Sequence, residues 1–378
     1  MSHALREAGH RVTVIARAVS EESVVSDCGV EVHRIQPQPR LDDWRVLWRL
    51  NKFWPGFAWA AMRRLQALHR LVPVDIVEAG ECRADSFFVT WLPQPRPRII
   101  TRLHLPWIFV DQQNSVTPDF KKRFTYWLEK QSILRADIVT APSAAVVKLT
   151  QSWLGARLAA HVVPNPVDVE WFSPDDCTPV REVLFVGRLE RRKGIDTLAQ
   201  ALPAVLDRCQ DIRFRFVGSD GLDEHGRSWR ARILDSTPPE QHHRIVFESI
   251  SRLLLAERYR NADLCVVPSH WENFPYVALE AMSCGTPVVA TRTGGLTEMI
   301  EHDRSGLLVP SEDPSALVDG ICQLMNNPER LTRMRNEARR RVESMYSTAT
   351  IVPKMVRLYR NPPATYSYAE NLRYHRNA

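Results

Sequence analysis

The chain has 378 residues, 44% of them hydrophobic and 25% charged, a composition that excludes a disordered or collagen-like polypeptide and allows two domains with full cores. A net charge of +6 suits anionic ligands in general, but no basic run or nucleic-acid-binding motif occurs, so nucleic acid is not an expected partner. The seven cysteines form no C-x-x-C pair, no apolar run approaches about 18 residues, and the opening MSHALREAGH lacks a signal-peptide core. These features argue against a disulfide framework, a zinc site and a membrane span, and for a cytoplasmic protein.

Short β-branched runs alternate with helical patterns throughout. In chain order the expected strands are Arg11–Ile15, Val30–Ile35, Val74–Glu78, Arg98–Leu103, Asp137–Ala141 and His161–Val163, then Val183–Val186, Phe214–Val217, Ile245–Phe247, Leu264–Val267, Val288–Ala290 and Leu307–Val309. Such alternation predicts an α/β protein with parallel sheets covered by helices on both faces. Ile195, Leu198, Ala199, Leu202, Val205 and Leu206 fall at helical spacing and predict one apolar face. The proline-rich segment 164–180 is the best linker. The expected organisation is therefore a first domain over 1–165, a linker over 166–180, a second domain over 181–345 and a C-terminal helix and tail over 346–378. A basic helix is expected over Pro328–Tyr346.

In the first half, Asp43–Arg64 carries Trp44, Trp48, Trp54 and Trp59 among Arg45, Arg49, Lys52, Arg63 and Arg64. Aromatic and basic residues at helical spacing can dock on an anionic membrane, giving peripheral contact on its inner face. The alternative is tryptophans packed on the sheet with arginines in water. His104 stands at the carboxyl end of an expected strand and is a site candidate, a structural histidine being the alternative. Glu81 is a second candidate on the same side. The Glu129…Ala136-Asp137 and Val163-Pro164-Asn165 stretches read as packing and linker features.

The second half carries the clearest chemistry. Strand Val183–Val186 runs into Gly187-Arg188-Leu189-Glu190-Arg191-Arg192-Lys193-Gly194. Ligands of doubly wound domains sit at the carboxyl ends of strands. There Arg188 supplies a forked cation and Lys193 a mobile one, together able to neutralise a diphosphate. Glu272 follows the expected strand end Val266-Val267-Pro268-Ser269, and Glu280 stands eight residues later in a helix whose first turn Pro275 suits. Among Val277, Ala278, Leu279, Ala281 and Met282 an unpaired carboxylate would be costly. The two glutamates can accept hydrogen bonds from the hydroxyls of a sugar or ribose. The Gly294-Gly295 turn then opens a helix and offers bare N–H groups to an anion. These features predict a site for an activated, phosphorylated sugar.

Gly187-Arg188-Leu189-x-x-x-Lys193-Gly194, Glu272-x-Phe274-Pro275-x-x-x-x-Glu280 and Pro287-Val288-Val289-Ala290-x-x-x-Gly294-Gly295-x-x-Glu298 resemble the donor site of the retaining glycosyltransferases of family 4, group 1. The resemblance implies the GT-B fold, two Rossmann-like doubly wound domains facing a cleft, and a hexosyltransferase-like activity. It gives Arg188 and Lys193 the donor diphosphate and Glu280 the ribose. Glu272 would hold hydroxyls of the transferred sugar, and the backbone around Phe274, Pro275 and Tyr276 would approach phosphate and sugar. His104 would touch the reacting sugar, so that Glu272 and His104 are the catalytic candidates. Glu298 would brace the Gly-Gly turn, an ordinary surface position being the alternative. No metal and no cofactor are implied, since fixed cations can stabilise a departing nucleoside diphosphate and no D-x-D pair occurs. The implied partners are a nucleotide-sugar donor and a glycan or lipid-linked acceptor of cell-envelope or exopolysaccharide biosynthesis. Members open with a strand and a Gly-Gly loop before a helix ending like Leu5-Arg6-Glu7-Ala8-Gly9-His10, so the resemblance implies a first domain without its first, central strand. A non-catalytic nucleotide-sugar-binding relative or partner subunit is therefore the alternative function, and an epimerase of the same fold a third.

Overall fold

Among the described residues of the first half the computed structural model has seven short strands, arranged in two sheets. One has the order β1-β3-β2, from β1 (Thr13–Arg17), β2 (Ser23–Asp27) and β3 (Val30–Ile35). The other is β4-β5-β6-β7, from β4 (Ile76–Gly80), β5 (Arg98–Arg102), β6 (Ile138–Ala141) and β7 (Ala160–Val162), parallel throughout. Residues 1–37, 54–114, 116–155, 158–175 and 181–361 are described. Trp44, Trp48, Arg45, Arg49 and Lys52, read above as a membrane-docking segment, lie outside them.

The chain divides into two units, Met1–Val163 with the residues from Val352 onward, and Pro164–Ile351. In the first, the helix Trp54–Leu71 brings Met62 and Leu65 against Ile15 of β1, Val77 of β4 and Ile99 of β5, so one helix shields residues of both sheets. β1 starts two residues beyond the expected Arg11 and runs to Arg17. β2 was not expected at all. It pairs antiparallel with β3 through a two-residue turn at Cys28-Gly29, both with positive φ (48° and 80°), and its own residues are mostly exposed. A turn of this kind normally announces itself as Asn-Gly or Asp-Gly, and Cys-Gly does not.

Among its described residues the second unit holds six parallel strands: β8 (Glu182–Val186), β9 (Arg213–Val217), β10 (Ile245–Glu248), β11 (Leu264–Val267), β12 (Val288–Thr291) and β13 (Gly306–Val309). Their order is β10-β9-β8-β11-β12-β13, so the winding reverses between β8 and β11. That reversal is the topological switch point at which doubly wound sheets open a crevice for ligands. Helices Ile195–Arg208 and Pro314–Met325 cover one face of the sheet and helix Tyr276–Ser283 the other, while helix Pro328–Tyr346 gives Leu331 and Met334 to the first core and Ala338, Val342 and Tyr346 to the second. Both faces being covered, β8, β11, β12 and β13 are buried almost without alternation, which is why they read as continuous apolar runs.

Helix Pro328–Tyr346 spans the residues expected of it and is fastened by arginines. Arg339 Nη1 donates to the carbonyls of Val169 (2.9 Å), Phe172 (3.0 Å) and Ser283 (2.8 Å). Arg341 donates to the carbonyls of Met299 (2.7 Å) and Glu298 (2.9 Å). Among the described residues no helix is long and apolar enough to cross a membrane.

Candidate functional site

The loops leaving β8, β11 and β12 converge at the switch point of the second unit, and their main chains lock together through glycine. After β8 the chain turns through Glu190–Gly194, with Gly194 at φ 70° closing the turn before the helix Ile195–Arg208. A Cβ on Gly194 would stand 1.9 Å from the carbonyl oxygen of Pro268, so only glycine lets this turn lie against the end of β11. Gly294, at φ 51°, is confined the same way by the carbonyl oxygen of Glu272, also 1.9 Å from the position of a Cβ. Further bonds tie the loops: His270 N–H donates to Arg192 O at 3.1 Å, Thr293 Oγ1 to His270 O at 3.1 Å, and Thr291 Oγ1 to Ser269 O.

Lys193 and Glu272 meet inside this frame. Lys193 Nζ donates to Glu272 Oε1 at 2.5 Å, and Ser269 Oγ donates to the same oxygen at 2.9 Å. The Glu272 side chain is 9% exposed and that of Lys193 21%. A mobile cation is thus held at the switch point by a mostly buried carboxylate, and both groups can exchange partners with a ligand. Arg188 is more open: its guanidinium pairs with Glu190 at 3.2 Å and is largely in solvent.

Glu280 lies behind, in the helix Tyr276–Ser283, and is buried. Its oxygens accept from Tyr259 Oη at 3.1 Å and from Arg252 Nη2 at 3.4 Å. Burial pushes its carboxyl up, while Tyr259 and Arg252 pull it down. The same burial, with the Glu280 charge, pushes the Tyr259 phenol far up. Phe274 is buried and packs edge-on against Tyr346, ring centroids 5.6 Å apart, so its side chain serves the core and only its backbone can meet a ligand. Pro275 is the N-cap of the following helix, one position before the first turn assigned to it above, and Tyr276 is exposed.

The Gly-Gly turn departs from expectation at Gly295. Gly295 N–H donates to Glu272 O at 2.9 Å and is therefore not offered to an anion. The helix it opens, Leu296–Met299, is a single turn. The turn shapes the Glu272 loop instead. Glu298 contributes its carbonyl oxygen, which accepts from Tyr346 Oη at 3.0 Å and Arg341 Nη2 at 2.9 Å.

His104 belongs to the first unit and follows β5, beside Gly80 at the end of β4: a Cβ there would lie 3.1 Å from its Cδ2. The residue is exposed, yet crowding around the ring, and then Arg102, hold its imidazole below the ordinary range. Its main-chain N–H donates to both carboxylate oxygens of Glu81, at 2.9 and 2.8 Å. Sequence reasoning placed Lys193, Glu272 and Glu280 near one another. It missed Ser269, Tyr259 and Arg252 as their partners, since none stands in a motif of its own. Glu81 is fully buried rather than presented to a ligand.

Comparison with known proteins bears on both units. The family described as "Glycosyltransferase Family 4" matches residues 1–171, and that described as "Glycosyl transferases group 1" matches residues 178–341. A D-inositol 3-phosphate glycosyltransferase of Geodermatophilus obscurus is 30% identical over 367 residues, covering 88% of this chain and 77% of that protein. The chain spans about half the length of other curated relatives it matches, such as 51% of the enzyme of that name from Corynebacterium jeikeium, at 36% identity over 52% of this chain. Among solved structures, sucrose-phosphate synthase from Thermosynechococcus elongatus superposes with a TM-score of 0.75 at 26% identity, covering 95% of this chain and 90% of that one. HepE of Anabaena, solved with UDP and glucose, shares the fold at 18% identity, with a TM-score of 0.69 over 88% of this chain and 87% of its own. The chain belongs to the group 1 glycosyltransferases of family 4 and has their GT-B architecture of two Rossmann-like domains.

Proposed function

We propose that the protein is a retaining glycosyltransferase that moves a sugar from a nucleoside-diphosphate sugar to a hydroxyl of a glycan or lipid-linked acceptor in cell-envelope or exopolysaccharide biosynthesis. The observation that carries this reading is the Lys193–Glu272 pair at the switch point, a cation for phosphate beside a carboxylate for hydroxyls. In this reading Lys193 and Arg188 take up the charge of the departing diphosphate. Glu272 holds hydroxyls of the sugar, Glu280 those of the ribose, and His104 contacts the reacting sugar. The fixed cations do the work a metal does elsewhere, so neither metal nor cofactor is required. The UDP bound by HepE makes uridine diphosphate the first nucleotide to test.

The enzyme works in the cytoplasm, in peripheral contact with the membrane. Support comes from the helix Phe120–Arg135, which exposes Phe120 (65%) and Trp127 (47%) beside Lys121 and Arg123, with Phe124 stacked on Trp127 at 5.8 Å. Aromatic rings flanked by cations suit an anionic headgroup layer.

The test is a thermal shift of the purified chain with UDP, GDP and ADP in parallel. A nucleotide at a hundred times its dissociation constant adds about 2.7 kcal/mol to a two-state fold. A shift with one nucleotide, lost in Arg188→Ala and Glu280→Ala, is expected; a cooperative melt that none of the three moves refutes the donor site. Binding without turnover of the corresponding nucleotide-sugar would leave a nucleotide-sugar-binding relative instead.

A further inference from the structure

Two glutamates of the first unit, Glu81 and Glu129, are each 0% exposed, and the reading above gives neither a task. Glu81 follows β4, and both its oxygens accept the main-chain N–H of His104 in the loop after β5. Glu129, from the helix Phe120–Arg135, accepts the main-chain N–H of Arg83 and of Trp107, each at 2.9 Å. One carboxylate therefore joins the β4 loop to the β5 loop, and the other holds both loops to a helix.

The β4 loop held in this way is strained. Arg83 and Ala84 adopt φ of 65° and 54°, a left-handed pair without glycine. Such a conformation persists only where its surroundings over-determine it, and it gathers at functional sites. Neutral acceptors could satisfy the same N–H groups without the cost of burying charge. Stability alone does not account for two carboxylates here.

We infer that Glu81 is a positioning residue for His104: its carboxylate fixes the main chain at His104 and so aims the imidazole, while Glu129 fixes the flanking Arg83 and Trp107. The part given to His104 in sugar transfer rests on the function proposed above; the positioning itself does not. Among the described residues, Glu81 is bonded to the main chain of His104 and feels the charges of Cys82 and Glu129, while Arg83 and Asp85 act on Cys82 and Arg102 acts on His104. Burial raises the Glu81 carboxyl to about 7 against the opposing main-chain N–H donors, and raises Glu129 to about 8. Once protonated, Glu81 must turn one oxygen into a donor among partners that are themselves donors. The grip on His104 therefore tightens as pH rises through about 7.

The experiment uses the full chain labelled with 13C-histidine, with the His104 ring resonance among the 12 histidines identified by its loss in His104→Gln. In the native chain this resonance should show an inflection near pH 7 beyond the ring's own titration. Glu81→Gln should remove that inflection and displace the resonance. With UDP-glucose as the probe donor, it should also lower kcat for donor turnover about tenfold to a hundredfold at nearly unchanged donor KM, the usual effect of a displacement of about 1 Å. An unchanged resonance and titration in a Glu81→Gln chain that still melts cooperatively overturns the proposal. Should the glutamine variant not fold, Glu81→Asp decides in the same way: a displaced His104 resonance supports the proposal, and an unchanged one overturns it. A native chain inert toward UDP-glucose counts against the transfer reading alone, because the His104 resonance is read without turnover.

Discussion

Removing the Lys193 cation while keeping most of its stem, in Lys193→Met, isolates what the Lys193–Glu272 pair contributes. Without Nζ, Glu272 keeps Ser269 Oγ at 2.9 Å as its remaining side-chain partner among the described residues, and its carboxylate is only 9% exposed. A charged hydrogen bond of this kind is worth about 1.5–3 kcal/mol. The larger figure for a fully buried pair does not apply, because a fifth of the lysine side chain is in water. For a unit of this size each kcal/mol moves the midpoint by about 2–4 °C, so the expected fall is about 3–12 °C. Calorimetry of the full chain, with and without UDP, reads both the fall and the loss of nucleotide stabilisation. The double variant Lys193→Met with Glu272→Gln should recover part of the fall, because a neutral amide tolerates the site better than an orphaned carboxylate. A Lys193→Met chain that melts within about a degree of the native protein and still responds to UDP would refute the reasoning.

The first unit should lose stability as pH rises. Glu81 and Glu129 hold their protons to about 7 and about 8 in the folded chain but release them near 4.5 when unfolded, so the folded state binds more protons in between. Their contribution is complete below about pH 4.5 and gone above about 8; denaturant titrations from pH 5 to 8.5 should show a drop of a few kcal/mol, abolished in Glu81→Gln combined with Glu129→Gln. The membrane reading predicts that the chain sediments with phosphatidylcholine vesicles containing phosphatidylserine and that added salt weakens this. Replacing Phe120 and Trp127 together by serine should abolish sedimentation, and an unchanged pellet would remove the Phe120–Arg135 helix from the argument.

What the sequence disclosed follows from how local each signal is. The parallel strands of the second unit were legible because burial on both faces writes them as unbroken apolar runs. Lys193, Glu272 and Glu280 were legible because the loops that carry them are short and follow strand ends. The partners of Glu280 were not: Tyr259 and Arg252 precede it by 21 and 28 residues and meet it only through the packing of separate elements. Glu129 stands in FKKRFTYWLEKQSILR and was read as a packing feature; the two main-chain N–H groups it holds, of Arg83 and Trp107, were not legible. Its complete burial is a property of the loops it holds. β2 escaped notice because its turn uses Cys-Gly and its side chains mostly face water. The Gly-Gly turn misled in the opposite sense. Gly294 answers a steric demand from Glu272 O, and Gly295 spends its N–H on that same oxygen.

The arginines that fasten helix Pro328–Tyr346 have a consequence for how the second unit responds to ionic strength. Arg339 and Arg341 donate to five carbonyl oxygens, which are dipoles and carry no net charge to be screened or protonated. Exposed pairs on the same helix, such as Arg340 with Glu337, weaken as salt shortens the Debye length and vanish as the carboxylate takes up a proton. The carbonyl contacts do neither, and a guanidinium stays charged at any pH a protein survives. The helix is thus pinned by contacts that brine and acid leave standing, while the charge pairs around it come and go.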